Sequence, residues 1–155
     1  MKTNRIIPLS IAALLLGATS SFAEEGHHGH STAMHEDHAK HMLEGYSVVA
    51  EALYKDDLEA AKKAAAGMVK HDPDSSLAKP GQAIAGSKDL AEARKHFGEL
   101  SEAAIPVAKH EKMMHVAHCP MAMGGKGADW LQKSDDEIQN PYMGKKMPHC
   151  GKFKE

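Results

Sequence analysis

Apolar residues recur at spacings of three and four along the middle of the chain, and this periodicity constrains the fold most strongly. It gives each of three predicted helices one apolar face. These faces consist of Leu43, Tyr46, Val49, Ala50, Leu53 and Tyr54, then Leu58, Ala61, Ala65, Met68 and Val69, then Leu90, Ala93, Phe97, Leu100 and Ala104. A short break separates the first two helices, which predicts an antiparallel hairpin with Asp57 as the N-cap of the second helix. Residues 42–155 are therefore predicted to form an all-α domain, a small antiparallel helical bundle.

The connections between these helices follow from proline, glycine and capping residues. Residues 71–86 contain two prolines and are predicted to form a loop. Ser87 is predicted to cap the third helix. Pro106 is predicted to kink or restart that helix, because proline lacks the N–H that a helix interior requires.

The C-terminal segment from Met113 is rich in glycine and holds the single Trp. It is predicted to be irregular, with a short β-hairpin between residues 115–121 and 129–132. A capping box beginning at Ser134 predicts a short helix that ends near residue 140. Trp130 and Leu131 are expected to pack this segment onto the helical bundle.

The first 23 residues have the pattern of a secretory signal peptide. Lys2 and Arg5 precede an apolar run from Ile6 to about Leu16, and Ser21-Phe22-Ala23 supplies small side chains for cleavage after Ala23. The apolar run is shorter than the roughly 20 residues that a membrane-spanning helix needs. We therefore expect export to the periplasm and no stable membrane anchor after cleavage.

Residues 24–41 form a polar, histidine-rich arm with almost no apolar side chains. Such a segment cannot bury enough surface to offset the entropy of ordering, so we expect a flexible arm whose last part joins the first helix. Its histidines are His27, His28, His30, His35, His38 and His41. Histidine tracts favour weak divalent metal binding. The open alternative is a pH-sensitive solvated tail, since imidazole protonates near pH 6.5.

Thiol, thioether and imidazole groups are concentrated in two short segments, HCPMAM at residues 118–123 and MGKKMPHCG at residues 143–151. Soft sulfur donors select Cu(I) over harder ions. Thioethers also carry no proton that must be lost before they bind a metal. If the fold brings the segments together, they predict a copper site. The candidate ligands are Cys119, Met121, Met147, Cys150, Met123, Met143, His118 and His149.

A disulfide is the main alternative for the two cysteines, because an exported protein with two Cys commonly forms one. Cys119 and Cys150 would close a loop of about 30 residues, which is worth roughly 3–4 kcal/mol. Spacing alone slightly favours the disulfide. The flanking methionines and histidines favour the metal, because a disulfide requires none of them. Thiols that bind metal when reduced and pair when oxidised would reconcile the two interpretations.

Three stretches carry a family resemblance: AEALYKDDLEAAKKAA, ARKHFGELS and HCPMAMGGKGADWLQKSDDEIQNPYMGKKMPHCG. The third stretch contains four short motifs in the same order as in the family. They are Cys-Pro-Met-Ala near its start, then Trp-Leu, then Ile-x-Asn-Pro-Tyr, and Met-x-x-Cys-Gly at its end. The chain thus resembles a small bacterial domain family of unassigned function. Its members occur alone after a signal peptide or fused to periplasmic adaptor subunits of copper and silver efflux pumps.

The resemblance implies an all-helical domain with a metal-handling C-terminal segment and a role in envelope copper or silver homeostasis. It points to Cys119, Met121, Met147 and Cys150 as the site residues. The family more often carries non-ligand residues at the positions of Met123, Met143 and His149, and the histidine arm lies outside its pattern. The pumping role of the fused relatives is not implied.

We therefore predict an exported copper-binding protein, with Cu(I) favoured and Ag(I) as a second soft ion. It would buffer the ion or hand it to a copper efflux or other periplasmic copper-handling partner. The alternatives are a disulfide-stapled interaction module and a histidine-led sponge for Zn, Ni or Cu(II). No phosphate loop, nucleophile elbow or HExxH motif is present, which predicts that the protein is not an enzyme. A formal net charge of −2 argues against nucleic-acid binding.

Overall fold

The computed structural model describes the backbone of residues 28–154 and the side chains of residues 37–154. The predicted signal peptide and its cleavage site lie outside the described residues. In chain order the elements are α1 (His28–Tyr54), α2 (Leu58–His71), α3 (Ala78–Ala85), α4 (Leu90–Glu111), β1 (His115–Cys119), the short turn α5 (Ala122–Gly125), β2 (Ala128–Gln132), a 3₁₀ turn (Gly144–Lys146) and β3 (Lys152–Phe153). The domain is mainly helical, as predicted, but all-α is wrong because it contains a three-stranded antiparallel sheet.

Helices α1 and α2 form the predicted hairpin and pack against each other along their apolar faces. Asp57 caps α2, because its side chain accepts a hydrogen bond from the backbone N–H of Ala60 at 2.9 Å. Tyr46, Val49 and Leu53 are fully buried on the face of α1. Helix α1 begins at His28, so residues 28–41 of the predicted flexible arm lie within the first helix.

Two sequence predictions about the middle of the chain are wrong. Part of the predicted loop forms helix α3, whose Pro80 lies in the first turn, where backbone N–H groups have no helical partner. Asp89, not Ser87, caps α4, since its side chain accepts from the N–H of Glu92 at 2.8 Å. Helix α4 also continues through Pro106 to Glu111, so this proline does not restart the helix.

The predicted hairpin is confirmed and extended by a third strand. β1 lies in the centre and pairs antiparallel with β2 on one side and with β3 on the other. The predicted helix after Ser134 does not form. Instead, the side-chain amide of Gln132 donates to the carbonyls of Ser134 and Glu137, at 2.7 and 2.6 Å, and its oxygen accepts from the N–H of Gln139. These bonds hold the segment in an irregular conformation.

Buried polar contacts dock the sheet onto the helices. The Tyr46 hydroxyl lies 2.8 Å from the Ser101 hydroxyl and accepts the N–H of Leu131 at 3.0 Å. The Tyr142 hydroxyl donates to the carbonyl of Asp129 at 2.8 Å. Burial raises the pKa of both tyrosines well above the usual value, so both phenols stay neutral. The sheet is therefore fixed to α1 and α4 at defined points.

Trp130 and Leu131 are buried, as predicted, and pack the sheet against the helical core. The Trp130 ring meets Tyr142 edge-on, with ring centroids 6.1 Å apart. Among the described residues, no helix combines the length and the apolar character needed to cross a bilayer.

Candidate metal centre

The two cysteines meet at one end of the small sheet, where the central strand β1 finishes. Strand pairing places His118 opposite Lys152, and continuing this register brings Gly151 opposite Cys119. Cys150 therefore lies beside Cys119, and the two sulfur atoms are 2.7 Å apart. Both thiols are free; Cys119 is fully buried, whereas Cys150 is partly exposed. The fold thus joins the two sulfur-bearing segments.

Two methionines form backbone hydrogen bonds with Cys150. The N–H of Met121 donates a hydrogen bond to the sulfur of Cys150. The N–H of Cys150 in turn donates to the carbonyl of Met147 at 3.2 Å. Together with Met143, these two methionines line one open groove of about 790 Å³. Three methionines therefore border one solvent-accessible groove, and two of them are linked to Cys150 through the backbone.

Met123 lies slightly apart from these three methionines. It adopts a left-handed conformation, with φ of 53°, in the turn between β1 and β2. Its side chain approaches Gly98 of α4, and it lines a neighbouring groove with Met143. Met123 therefore contacts α4, and it shares a groove with Met143, which also lines the groove of Met121 and Met147.

The two candidate imidazoles have other partners. Side chains alternate along a strand, so His118 faces away from the neighbouring Cys119. Its Nδ1 lies 2.6 Å from a carboxylate oxygen of Asp129, and the Lys154 ammonium donates to the other oxygen at 2.8 Å. His149 Nδ1 lies 2.8 Å from the carbonyl of Ile138. In this structure, neither ring joins the sulfur cluster.

Asp129 contacts His118 on the face of the sheet opposite Cys119. Partial burial raises the pKa of Asp129, but the hydrogen bonds from Lys154 and His118 outweigh this effect. The pKa of Asp129 therefore lies below its usual value, and the carboxylate stays ionised and orients the imidazole.

The sulfur spacing lies between the spacings required by two kinds of chemistry. In a disulfide the sulfurs are about 2.05 Å apart. Two thiolates that share one tetrahedral ion, with metal–sulfur bonds of about 2.3 Å, lie roughly 3.8 Å apart. Metal binding would therefore require the sulfurs to separate by about 1 Å. Cys150 is the partly exposed member of the pair, so its side chain has room to move.

The donor set and the protonation state limit how a metal would bind. Among the described residues, no three His, Cys, Asp or Glu side chains converge on one point. A metal at the cysteines would therefore depend on thioether ligands from the adjacent methionines. The hydrogen bond with Cys119 raises the pKa of the Cys150 thiol, so Cys150 would release a proton when it binds a metal.

Asn140 organises the loop that carries the second sulfur segment, and the sequence alone did not single it out as functional. It is fully buried, and its amide donates to the carbonyl of Cys150 at 2.6 Å. Its side-chain oxygen accepts the N–H groups of Tyr142 and Met143 at 2.9 and 3.1 Å. The only sequence signal was its place in the Ile-x-Asn-Pro-Tyr motif. Asn140 fixes where the second thiol stands.

An ion pair, also missed at the sequence level, anchors the same loop to the helices. Arg94 of α4 bonds to Asp56 and to the carbonyls of Leu53 and Pro141, the latter two at 2.9 Å. Asp56 also accepts the N–H of Lys145 at 3.2 Å. Burial raises the pKa of Asp56, but the hydrogen bonds from Arg94 and Lys145, together with their positive charges, outweigh it, and the pKa lies below its usual value. This ion pair links both helices to the methionine groove.

Together, the fold and the site define a mainly helical domain with a pair of thiols and neighbouring methionines at the end of a small sheet. Comparison with protein-family models, curated proteins and solved structures found no match for this chain. The resemblance to the envelope domain family therefore stays a prediction that rests on sequence motifs.

Proposed function

We propose that this protein is exported to the periplasm, binds Cu(I) and buffers it or hands it on in envelope copper homeostasis. Cys119 and Cys150 would be the main ligands, with Met121 and Met147 as thioether ligands. One observation carries the proposal: two cysteines 31 residues apart are in contact, and the two methionines whose backbones form hydrogen bonds with Cys150 line an open groove. The proposal includes no catalytic step.

The exposure of the methionines supports ligand roles over core packing. Met42 and Met68 are 3% and 4% exposed and serve as core side chains. In contrast, Met121 and Met147 are 55% and 37% exposed. Leaving large apolar side chains in water gives up the favourable free energy of burying them. Their position beside two thiols supports a role in binding soft metal ions.

The burial gradient suggests how an ion would enter and leave. Exposed thioethers at the groove would take the ion first, and the partly exposed Cys150 and buried Cys119 would then join them as ligands. Because each ligand is exchanged singly, a partner that offers its own sulfur donors could remove the ion stepwise. The same soft donors would accept Ag(I). The motif resemblance supports a copper efflux or periplasmic copper-handling protein as that partner.

Cu(I) competition titration of the reduced chain from residue 24 to 155 tests the proposal. We expect one tightly bound Cu(I), and loss of tight binding in the Cys119→Ser/Cys150→Ser variant. The Met121→Leu/Met147→Leu variant is expected to bind more weakly, because each Leu lacks a donor atom. Met113→Leu is the matched control, since Met113 is 39% exposed and precedes the opposite end of β1. Tight binding retained by the double serine variant would refute the site.

The sulfur contact also supports a second function, a disulfide-stapled helical module that docks onto an envelope partner. The 2.7 Å separation needs only a small movement for the bond to form. Thiol titration and metal analysis of protein taken from the periplasm without chelators distinguish the two functions. Fully blocked thiols without copper favour the staple, whereas free thiols with bound copper favour the metal site.

A further inference from the structure

Three histidines from two helices meet at the end of the α1–α2 hairpin, where His71 contacts both His38 and His41. The ring centroid of His71 lies 5.2 Å from that of His38 and 5.1 Å from that of His41. Asp72 adds a carboxylate, because its oxygen lies 2.6 Å from Nε2 of His38. This His38–His41–His71–Asp72 group is hereafter the histidine cluster.

Helix geometry explains why these side chains meet. His38 and His41 are three residues apart on α1, so they lie on the same face of that helix. His71 is the last residue of α2, and Asp72 is its C-cap. The cluster lies roughly 20 Å along α1 from the end near the sulfur site, given a rise of about 1.5 Å per residue. The histidine cluster is therefore distinct from the cysteines and methionines.

We propose that the histidine cluster binds a divalent transition-metal ion such as Zn²⁺. With metal–nitrogen bonds of about 2.1 Å, two imidazoles at a tetrahedral angle have ring centroids roughly 5.2 Å apart. Both observed separations match this spacing. Three imidazoles, with a carboxylate beside one of them, suit Zn²⁺, Ni²⁺ or Cu²⁺ rather than Cu(I).

The rings must turn before their nitrogen atoms can converge on an ion. The planes of His38 and His71 are nearly stacked, at 24°, and those of His41 and His71 are tilted by 51°. This arrangement agrees with the absence of a converged donor group among the described residues. The side chains of His38 and His41 are 46% and 65% exposed and His71 is also exposed, so rotation meets little steric resistance.

The backbone around the cluster also favours a cation. Carbonyl groups at the end of a helix carry partial negative charge, and the C-terminus of α2 lies at this point. The contact with Asp72 would help to orient the imidazole of His38, as a carboxylate commonly does for a metal-binding histidine. A bound ion would link the N-terminal part of α1 to the C-terminal end of α2.

Zn²⁺ titration by calorimetry tests the proposal in the Cys119→Ser/Cys150→Ser chain from residue 24 to 155. This background removes the sulfur site, so its failure and that of the Cu(I) proposal are distinguishable. We expect His71→Gln to weaken Zn²⁺ binding about tenfold or more, a loss at least as large as that caused by removing an outer-shell partner. His110→Gln is the matched control, because His110 also lies in the last turn of a helix and its side chain is 85% exposed.

Nitrogen NMR of the histidine rings gives a second readout. Zn²⁺ should shift the ring signals of His38, His41 and His71 together in the parent chain, and those of the first two should shift far less after His71→Gln. Equal Zn²⁺ affinities for His71→Gln and His110→Gln would overturn the proposal. This result would place any binding in the histidine arm alone. Zn²⁺ shifts that leave the His71 signals unchanged would overturn it as well.

Discussion

Replacing Gly144 with alanine tests whether the ion pair between α4 and α1 holds the second sulfur segment in place. Gly144 has a φ of 52°, in the left-handed region that side chains other than glycine rarely adopt. A Cβ atom at this position would overlap both the carboxylate of Asp56 and the guanidinium of Arg94. The substitution therefore combines backbone strain with displacement of the Asp56–Arg94 pair.

The costs of the backbone strain and of the displaced ion pair can be estimated separately. A left-handed conformation costs an alanine about 1 kcal/mol. Loss of one charge-assisted hydrogen bond of Arg94 adds about 2 kcal/mol, because bonds to charged groups contribute roughly 1.5–3 kcal/mol. We therefore expect Gly144→Ala to lower the free energy of unfolding by about 3 kcal/mol. Gly124→Ala should cost only about 1 kcal/mol, since Gly124 has a φ of 72° and no neighbouring atom lies within 4 Å of the position that the alanine methyl group would occupy.

Denaturant unfolding of the reduced protein, followed by the fluorescence of the buried Trp130, measures both variants. The difference between them isolates the contact with Asp56 and Arg94, because both carry the backbone strain. Unchanged denaturant slopes would show that the unfolded states are comparable. If Gly144→Ala and Gly124→Ala lost the same free energy of unfolding, the ion pair would not anchor the loop.

Three further substitutions test other contacts. Tyr46→Phe should lower the free energy of unfolding by about 1–3 kcal/mol, because it leaves the buried N–H of Leu131 without an acceptor; thermal and denaturant unfolding measure it. Asn140→Ala should weaken Cu(I) binding in competition titration, because the carbonyl of Cys150 loses its donor. Asp56 has a lowered pKa, so its stabilising contribution is present above the usual carboxyl pKa of about 3.9 and is lost as pH falls through the folded-state pKa. The loss of unfolding free energy that Asp56→Asn causes should therefore be constant near neutral pH and become smaller below about pH 4.

The helices that could be predicted from the sequence are those whose burial follows the apolar periodicity. Tyr46, Leu53 and Phe97 stand in that periodicity and are fully buried. Helix α3 was missed because proline and glycine in Ala78–Ala85 suggest a loop, whereas this proline lies where a helix tolerates it. The capping-box signal at Ser134 failed because a neighbouring side chain, Gln132, occupies the backbone groups that a helix would use.

For the site, the sequence predicts the kinds of atoms better than their arrangement. The soft donors were evident from composition, and the contact between the thiols required only that the two segments meet. Neither His118 nor His149 joins the sulfur cluster, because strand alternation directs the first toward Asp129 and a backbone carbonyl engages the second. The histidine cluster could not be predicted from spacing, because His71 is 30 residues from His41 and their meeting depends on the helical hairpin.

Closure of the sheet and assembly of the sulfur site depend on the same few contacts. A Cβ atom at Gly151, which follows Cys150, would lie 2.7 Å from the carbonyl oxygen of His118 and 3.0 Å from the Trp130 ring. The backbone can therefore come this close only at a glycine, and this close approach lets Cys150 reach Cys119. A ligand that binds only the folded state stabilises it. Whatever joins the two sulfurs, copper or a covalent bond, should thus also hold β3 on the sheet and Trp130 in the core.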